Sequence, residues 1–161
     1  MKSAHTDDEP SPDHQRPADA DDTAVEAAGL MSEALETIEQ ARGHLYAFHQ
    51  LTGRADGMLD DVVAKLTDAG HPELADLVDH ELIGRNVLPG RWTFQVVEDY
   101  DDGYYDCFRG IERQIRDRLM RGRRHVYEAE MKERRRTHGH PAHTARPPEQ
   151  ERLLTGDSGR R

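Results

Sequence analysis

The chain is short of the features that usually announce a function. Among its 161 residues there is one cysteine, Cys107, and one tryptophan, Trp92. A single cysteine excludes an intrachain disulfide and fits a reducing compartment. Cys107 stands beside Phe108 on an apolar stripe, where a buried, inert thiol is expected. No apolar run approaches the roughly 20 residues that span a bilayer. Residues 1–9 lack the apolar core of a signal peptide. These absences predict a soluble, cytoplasmic protein with no membrane partner. Hydrophobic residues make up only 35% and aromatic residues 6%. No stretch carries a specific catalytic, cofactor or nucleic-acid signature, so no cofactor is expected and enzymatic activity is the less favoured reading.

What the chain has in quantity is charge, at 34% of residues, unevenly spread. Residues 1–106 carry a net charge of −17 and residues 107–161 one of +7. Such polarity predicts that the two ends meet different partners, or each other. Residues 1–22 hold seven acids and the prolines Pro10, Pro12 and Pro17, with almost nothing to bury, and are expected to be a disordered acidic tail. Residues 137–161 form a second expected disordered tail, rich in His, Pro and Arg. Between them, residues 23–136 read as one all-α domain, an antiparallel bundle of four to five helices ending in a basic helix.

Within that domain the periodicities are helical. Thr23 and Glu26 fit a capping box that opens a first helix. Met31, Leu35, Ile38, Leu45 and Phe48 recur on one face, with Ala34 and Ala41 filling it, and Gly53 is the expected stop. A second helix is predicted from Asp56, with Met58, Leu59, Val62, Val63 and Leu66 on its apolar face, closed by Ala69-Gly70. A third opens at Pro72, carries Leu74, Leu77, Val78 and Leu82, and ends at Gly84. Residues 86–90, with Pro89-Gly90, predict a turn. The longest pattern follows. Trp92, Val96, Tyr100, Tyr104, Phe108, Ile111, Ile115 and Leu119 mark a helix over residues 92–120, about 43 Å long, with Gly122 at its end. Residues 123–136 form a further amphipathic helix.

Five constellations invite chemistry. Glu36 and Glu39 on the first helix, with Glu73 and Asp76 on the third, have the internal spacing of the paired carboxylates that hold Mg²⁺ in all-α nucleotide pyrophosphohydrolases of the MazG type, which they resemble slightly. That resemblance implies metal-dependent hydrolysis. The 33 residues between the two pairs depart from the family pattern, however, and no basic phosphate-binding signature follows. A solvated acidic face is the simpler reading. His44, His49 and His80 lack the Glu-x-x-His spacing of bundle di-metal sites. His138, His140 and His143 form a tract of the kind that collects transition metals.

The run from Glu98 to Asp106 crowds five acids with Tyr100, Tyr104 and Tyr105. It reads either as an acidic-aromatic pocket for a cation or basic peptide or as acids complementing a helix N-terminus. After it the sign reverses. Arg113, Arg116, Arg121, Arg123, Arg124, Arg134, Arg135 and Arg136 form a basic arm. With Tyr100 and Tyr104, it is the candidate surface for an unknown protein partner. Contact with nucleic acid phosphates is the alternative. Docking on the chain's own acidic residues 1–22 and pairing within the helix, as Asp117–Arg121 and Glu130–Arg134 would allow, are simpler ones. A helix of this length, outreaching its neighbours, also makes self-association into a homo-oligomer plausible.

The segments around Gly43-His44-Leu45-Tyr46, Leu82-Ile83-Gly84-Arg85-Asn86 and His125-Val126-Tyr127-Glu128 resemble a family of small uncharacterised actinobacterial proteins. That resemblance covers most of residues 30–145. It implies a bacterial, cytoplasmic origin and transfers no site. The expected function is a small interaction or regulatory protein.

Overall fold

The computed structural model describes residues 8–147. The fold is an all-α helical bundle. Five α-helices are described: α1 (Asp22–Asp68), α2 (Pro72–Glu81), α3 (Thr93–Tyr100), α4 (Asp106–Met120) and α5 (Val126–Arg135). A 3-10 turn at Pro12–His14 precedes them, and a π-helical segment, Asp101–Tyr105, joins α3 to α4 without a break. Among the described residues, no helix is long and apolar enough to cross a membrane.

The first difference from expectation is α1 itself. The two predicted helices at residues 23–53 and 56–70 are one 47-residue helix, about 70 Å long. Gly53 does not stop it. Glycine costs about 1 kcal/mol against alanine inside a helix, but the left-handed turn that ends a helix is only an option, and good helix formers follow on both sides. The left-handed glycines fall where the chain does turn, at Gly70, Gly84, Gly90 and Gly122. Capping also differs. The Asp21 carboxylate accepts the Ala24 amide at 2.8 Å, so Asp21 rather than Thr23 is the N-cap. Pro72 begins α2 as predicted, and Pro89-Gly90 makes a tight turn closed by the Arg91 amide on the Leu88 carbonyl at 2.9 Å.

The second difference lies in the helix after Trp92. The apolar positions at 92, 96, 100, 104 and 108 step by four, and four residues overshoot one α-helical turn by 40°. Such a row wanders off any single face. The buried positions are Thr93, Val97, Tyr105, Glu112 and Met120 instead, while Tyr104 is 57% exposed. The π segment takes in extra residues per turn, and so returns Tyr105 to the face that carries Val97. This offset also leaves Cys107 exposed, which corrects the expectation of a buried thiol.

The chain forms two compact units, one from residues 8–29 and 115–147, the other from residues 30–114. The first is centred on Val25, Ala28, Met120 and Val126, with Ala20, Ala24 and Leu119 packed against them. Gly29 lets Tyr127 lie directly on α1, since a Cβ there would stand 3.0 Å from the Tyr127 ring. In the second unit α1 is tied to the π segment by Arg42 on Asp101, to α3 by His49 on Thr93 and to the turn after α2 by Asp56 on Gly84, and Ala75, Thr93, Val97 and Tyr105 are buried.

Candidate interaction surfaces

Four of the basic arm's eight arginine side chains, those of Arg116, Arg121, Arg123 and Arg136, are engaged within their own unit. Residues 8–21, expected to be a disordered tail, instead run along α5 and the turn before it. Arg16 grips Glu130 with two hydrogen bonds of 2.6 and 2.7 Å and also reaches Asp22 at 2.7 Å. Arg121 donates to Asp19 at 2.9 Å, and Arg123 to the Gln15 carbonyl at 2.8 Å. The Arg124 carbonyl meets the His14 ring at 2.8 Å. Arg136 is 9% exposed and bonds both Asp8 and Glu133. The physical reason is charge. An acidic segment with little to bury gains order when fixed arginine forks receive its carboxylates and carbonyls. These tertiary pairs displace two expected intrahelical ones, because Arg121 turns to Asp19 and Glu130 to Arg16.

The remaining arm residues divide. Arg116 is half-buried and donates to the Gly122 carbonyl at 3.0 Å, tying off the end of α4. Arg113, Arg134 and Arg135 are exposed. The hydrogen bonds shift the acids in one direction: Arg136 beside Asp8 and Glu133, and Arg121 beside Asp19, hold all three carboxyls below their ordinary values. In the histidine tract, His138 faces Asp8 and Glu133 at 3.3 and 3.5 Å, and the His140 and His143 rings lie 4.3 Å apart. The sequence ends 1–7 and 148–161 of the two predicted tails lie outside the described residues.

The acidic-aromatic run has its cation already. Arg42 of α1 donates to both Asp101 oxygens at 2.7 and 3.0 Å. Its guanidinium lies 4.8 Å from the Tyr46 ring centre and 4.6 Å from that of Tyr105. The Tyr46 hydroxyl donates to Asp101 at 3.0 Å, and the Tyr105 hydroxyl to Glu39 at 2.6 Å. Arg42 holds the Asp101 carboxyl below its usual value, while Glu39 beside the phenol raises that of Tyr105. Tyr100 and Tyr104, the two tyrosines predicted to bind a partner, stack with Tyr105 and Phe108 around this node. The sequence reading found the acids and the rings but missed Arg42, which lies 59 positions away from Asp101.

The four candidate metal ligands are not brought together. All four are exposed, and Glu39 is spent on Tyr105. Glu36 and Glu39 sit roughly 29 residues or more before the end of α1, about 43 Å along its axis. The 10-residue α2, about 15 Å long, cannot carry Glu73 and Asp76 back that far. Uninterrupted α1 is therefore what separates the two pairs. Among the described residues, no three of these carboxylates gather in a group that would hold an ion.

Two features of the second unit were not singled out in advance. One is a cavity of about 610 Å³ between α1 and the segment joining α2 to α3, walled by Leu59, Val87, Trp92 and Phe94. Its polar edges are already satisfied: His49 bonds Thr93 at 2.7 Å, and Asp56 accepts the Gly84 amide at 3.1 Å. Trp92 closes the segment by donating to the Arg85 carbonyl at 2.9 Å. The other is the exposed face of α1 beside these contacts. Phe48, Met58 and Val62, expected in the core, are exposed there together with Leu30 and Leu51, at 41% to 66% of their surface. Met31, Leu35, Ile38 and Leu45 are half-buried on the neighbouring side, toward the unit's own core, as their period implied. Comparison of the chain with family models, with characterised proteins and with solved structures finds no match.

Proposed function

We propose that this protein is a helical interaction protein that meets a protein partner through the uncovered face of α1. One observation carries this reading. Five large apolar side chains, Leu30, Phe48, Leu51, Met58 and Val62, stand in water along a single helix. Scattered exposed apolar residues are ordinary, but an aligned row of them costs free energy that a partner recovers. The basic arm is the weaker candidate, because Arg121, Arg123 and Arg136 already hold groups of their own unit. The same occupancy weakens nucleic-acid contact, as does a net charge of −10.

The test is photo-crosslinking in living cells, with a benzophenone amino acid placed at Leu51 or at Arg124. A discrete protein adduct from position 51 and none from position 124 is the expected result. An adduct from position 124 alone would return the function to the arm.

A further inference from the structure

The uncovered face of α1 has a period of its own. Leu30, Ala34, Thr37, Ala41, His44, Phe48, Leu51, Ala55, Met58 and Val62 alternate steps of four and three. That is the 3.5-residue repeat of a coiled-coil seam, sustained over more than four heptads. Apart from half-buried Ala34, every one of these residues is exposed. The half-buried Met31, Ile38, Leu45, Thr52 and Leu59 flank the row on the side turned to the unit's own core. The row is an exposed strip bordering that side, and it meets it at half-buried Ala34 and at Ala55, which also lines the cavity.

We infer that a second copy of this chain occupies the seam, with the two α1 helices antiparallel and crossing between Phe48 and Leu51. This rests on the reading of α1 as the contact surface and names its occupant. Three observations point to a second copy. The first is self-complementarity of size. In an antiparallel coil centred there, Phe48 meets Leu51 of the second copy, His44 meets Ala55, Ala41 meets Met58, and Thr37 meets Val62. In two of the four layers, His44 with Ala55 and Ala41 with Met58, a larger residue faces a smaller one, as interdigitated packing requires. A two-fold axis supplies each layer twice, which is how closed homodimers are built.

The second observation is length. The row from Leu30 to Val62 spans about 48 Å. A strip roughly 10 Å wide on each of two copies amounts to about 1,000 Å², the floor for a specific interface. The 10-residue α2 or α5 would cover less than a third of it.

The third is charge beside the seam. The flanking positions are Glu33, Gln40, Ala47, Arg54 and Asp61. In this register Ala47 lies by Arg54 of the second copy and Gln40 by Asp61, so no like charges oppose in the central turns. Glu33 approaches Asp68 of the second copy at the solvated ends, with Lys65 of the same copy beside it. A parallel pairing would instead stack His44 on His44 and Ala41 on Ala41. It would set bulk against bulk at Phe48 and leave gaps at the alanines.

The experiment uses the full chain. Sedimentation equilibrium from about 1 to 100 μM should give twice the 18.3 kDa chain mass. Leu51→Glu with Met58→Glu should raise the dissociation constant at least roughly a hundredfold while leaving helicity unchanged, because each places a carboxylate in the seam. Register is read in a Cys107→Ser background. Ala41→Cys and Met58→Cys variants should form a disulfide-linked dimer only when mixed.

A chain that stays at 18.3 kDa throughout overturns the inference, as does a dimer indifferent to the two glutamates. Cross-linking of either cysteine variant with itself overturns the antiparallel register. If the chain is monomeric yet position 51 still yields a photo-adduct with another protein, the interaction reading stands and the second copy is excluded.

Discussion

At the scale of the residue, small differences in surroundings decide whether the same change helps or harms. Gly57 lies in mid-α1 with open space where a Cβ would go, so Gly57→Ala should stabilise by about 0.5–1 kcal/mol. Gly29→Ala places a Cβ at 3.0 Å from the Tyr127 side chain and should destabilise by about 1–3 kcal/mol. Thermal unfolding of the two variants, compared in sign, checks both. Asp101 supplies a pH dependence. Its carboxyl is held down by Arg42, so the folded state binds that proton less readily than the unfolded chain. The stabilisation is complete above the ordinary carboxylate value near 4 and is lost as pH falls through the lower folded value. Asp8, Asp19 and Glu133 add in the same direction. Denaturant titrations between pH 6 and pH 2 should show stability falling with acid, and Asp101→Asn should flatten part of that slope.

At the scale of the element, the π segment is a one-residue accommodation. Deleting Gly103 should let Asp101–Tyr105 close into α-helix with Val97 and Tyr105 still on one face. That variant should keep its far-UV circular dichroism and most of its stability. Deleting Arg118 from regular α4 instead rotates Met120 by about 100° away from Val25 and Val126. The cost should approach that of emptying a core methionine, about 2–5 kcal/mol. Calorimetry of the two deletions separates an adjustable turn from a fixed one.

The elements also show where sequence is legible. Pro72 and Pro89 fix a backbone angle locally, Gly84, Gly90 and Gly122 take the left-handed one that only glycine adopts freely, and the chain turns at each as expected. At Gly53 it does not, because a glycine permits a turn without compelling one. The apolar residues of α1 were visible, but which side of it faces inward depends on Arg42, His49 and Asp56 finding Asp101, Thr93 and Gly84 far along the chain. No local period records those meetings. The charge imbalance did foretell one of its outcomes, since the acidic N-terminal segment and the basic arm meet each other.

At the scale of the molecule, residues 8–21 and the segment from Arg123 to Arg136 depend on one another. A chain stopped at Gly122 lacks Arg123, Arg124, Glu130 and Arg136, the groups that receive Gln15, His14, Arg16 and Asp8. Hydrogen exchange at the amides of His14, Gln15 and Ala20, all bonded in the intact chain, should rise to nearly the unfolded rate in that truncation. The amides of α2 should be unaffected, because their unit is built from residues 30–114. Unchanged protection at residues 14–20 would mean that the segment holds itself in place.

This dependence also has a consequence in time. Val25 packs on Met120 and Val126, partners the ribosome makes about 95 residues later. At 5–20 residues per second, that is a delay of roughly 5–20 seconds. Throughout it the start of α1 has no core to join, whereas residues 30–114 can fold as they emerge. Residues 8–25 are thus made well before the partners they pack on, and a nascent chain arrested midway would leave Asp8, Asp19 and Arg16 without Arg136, Arg121 and Glu130.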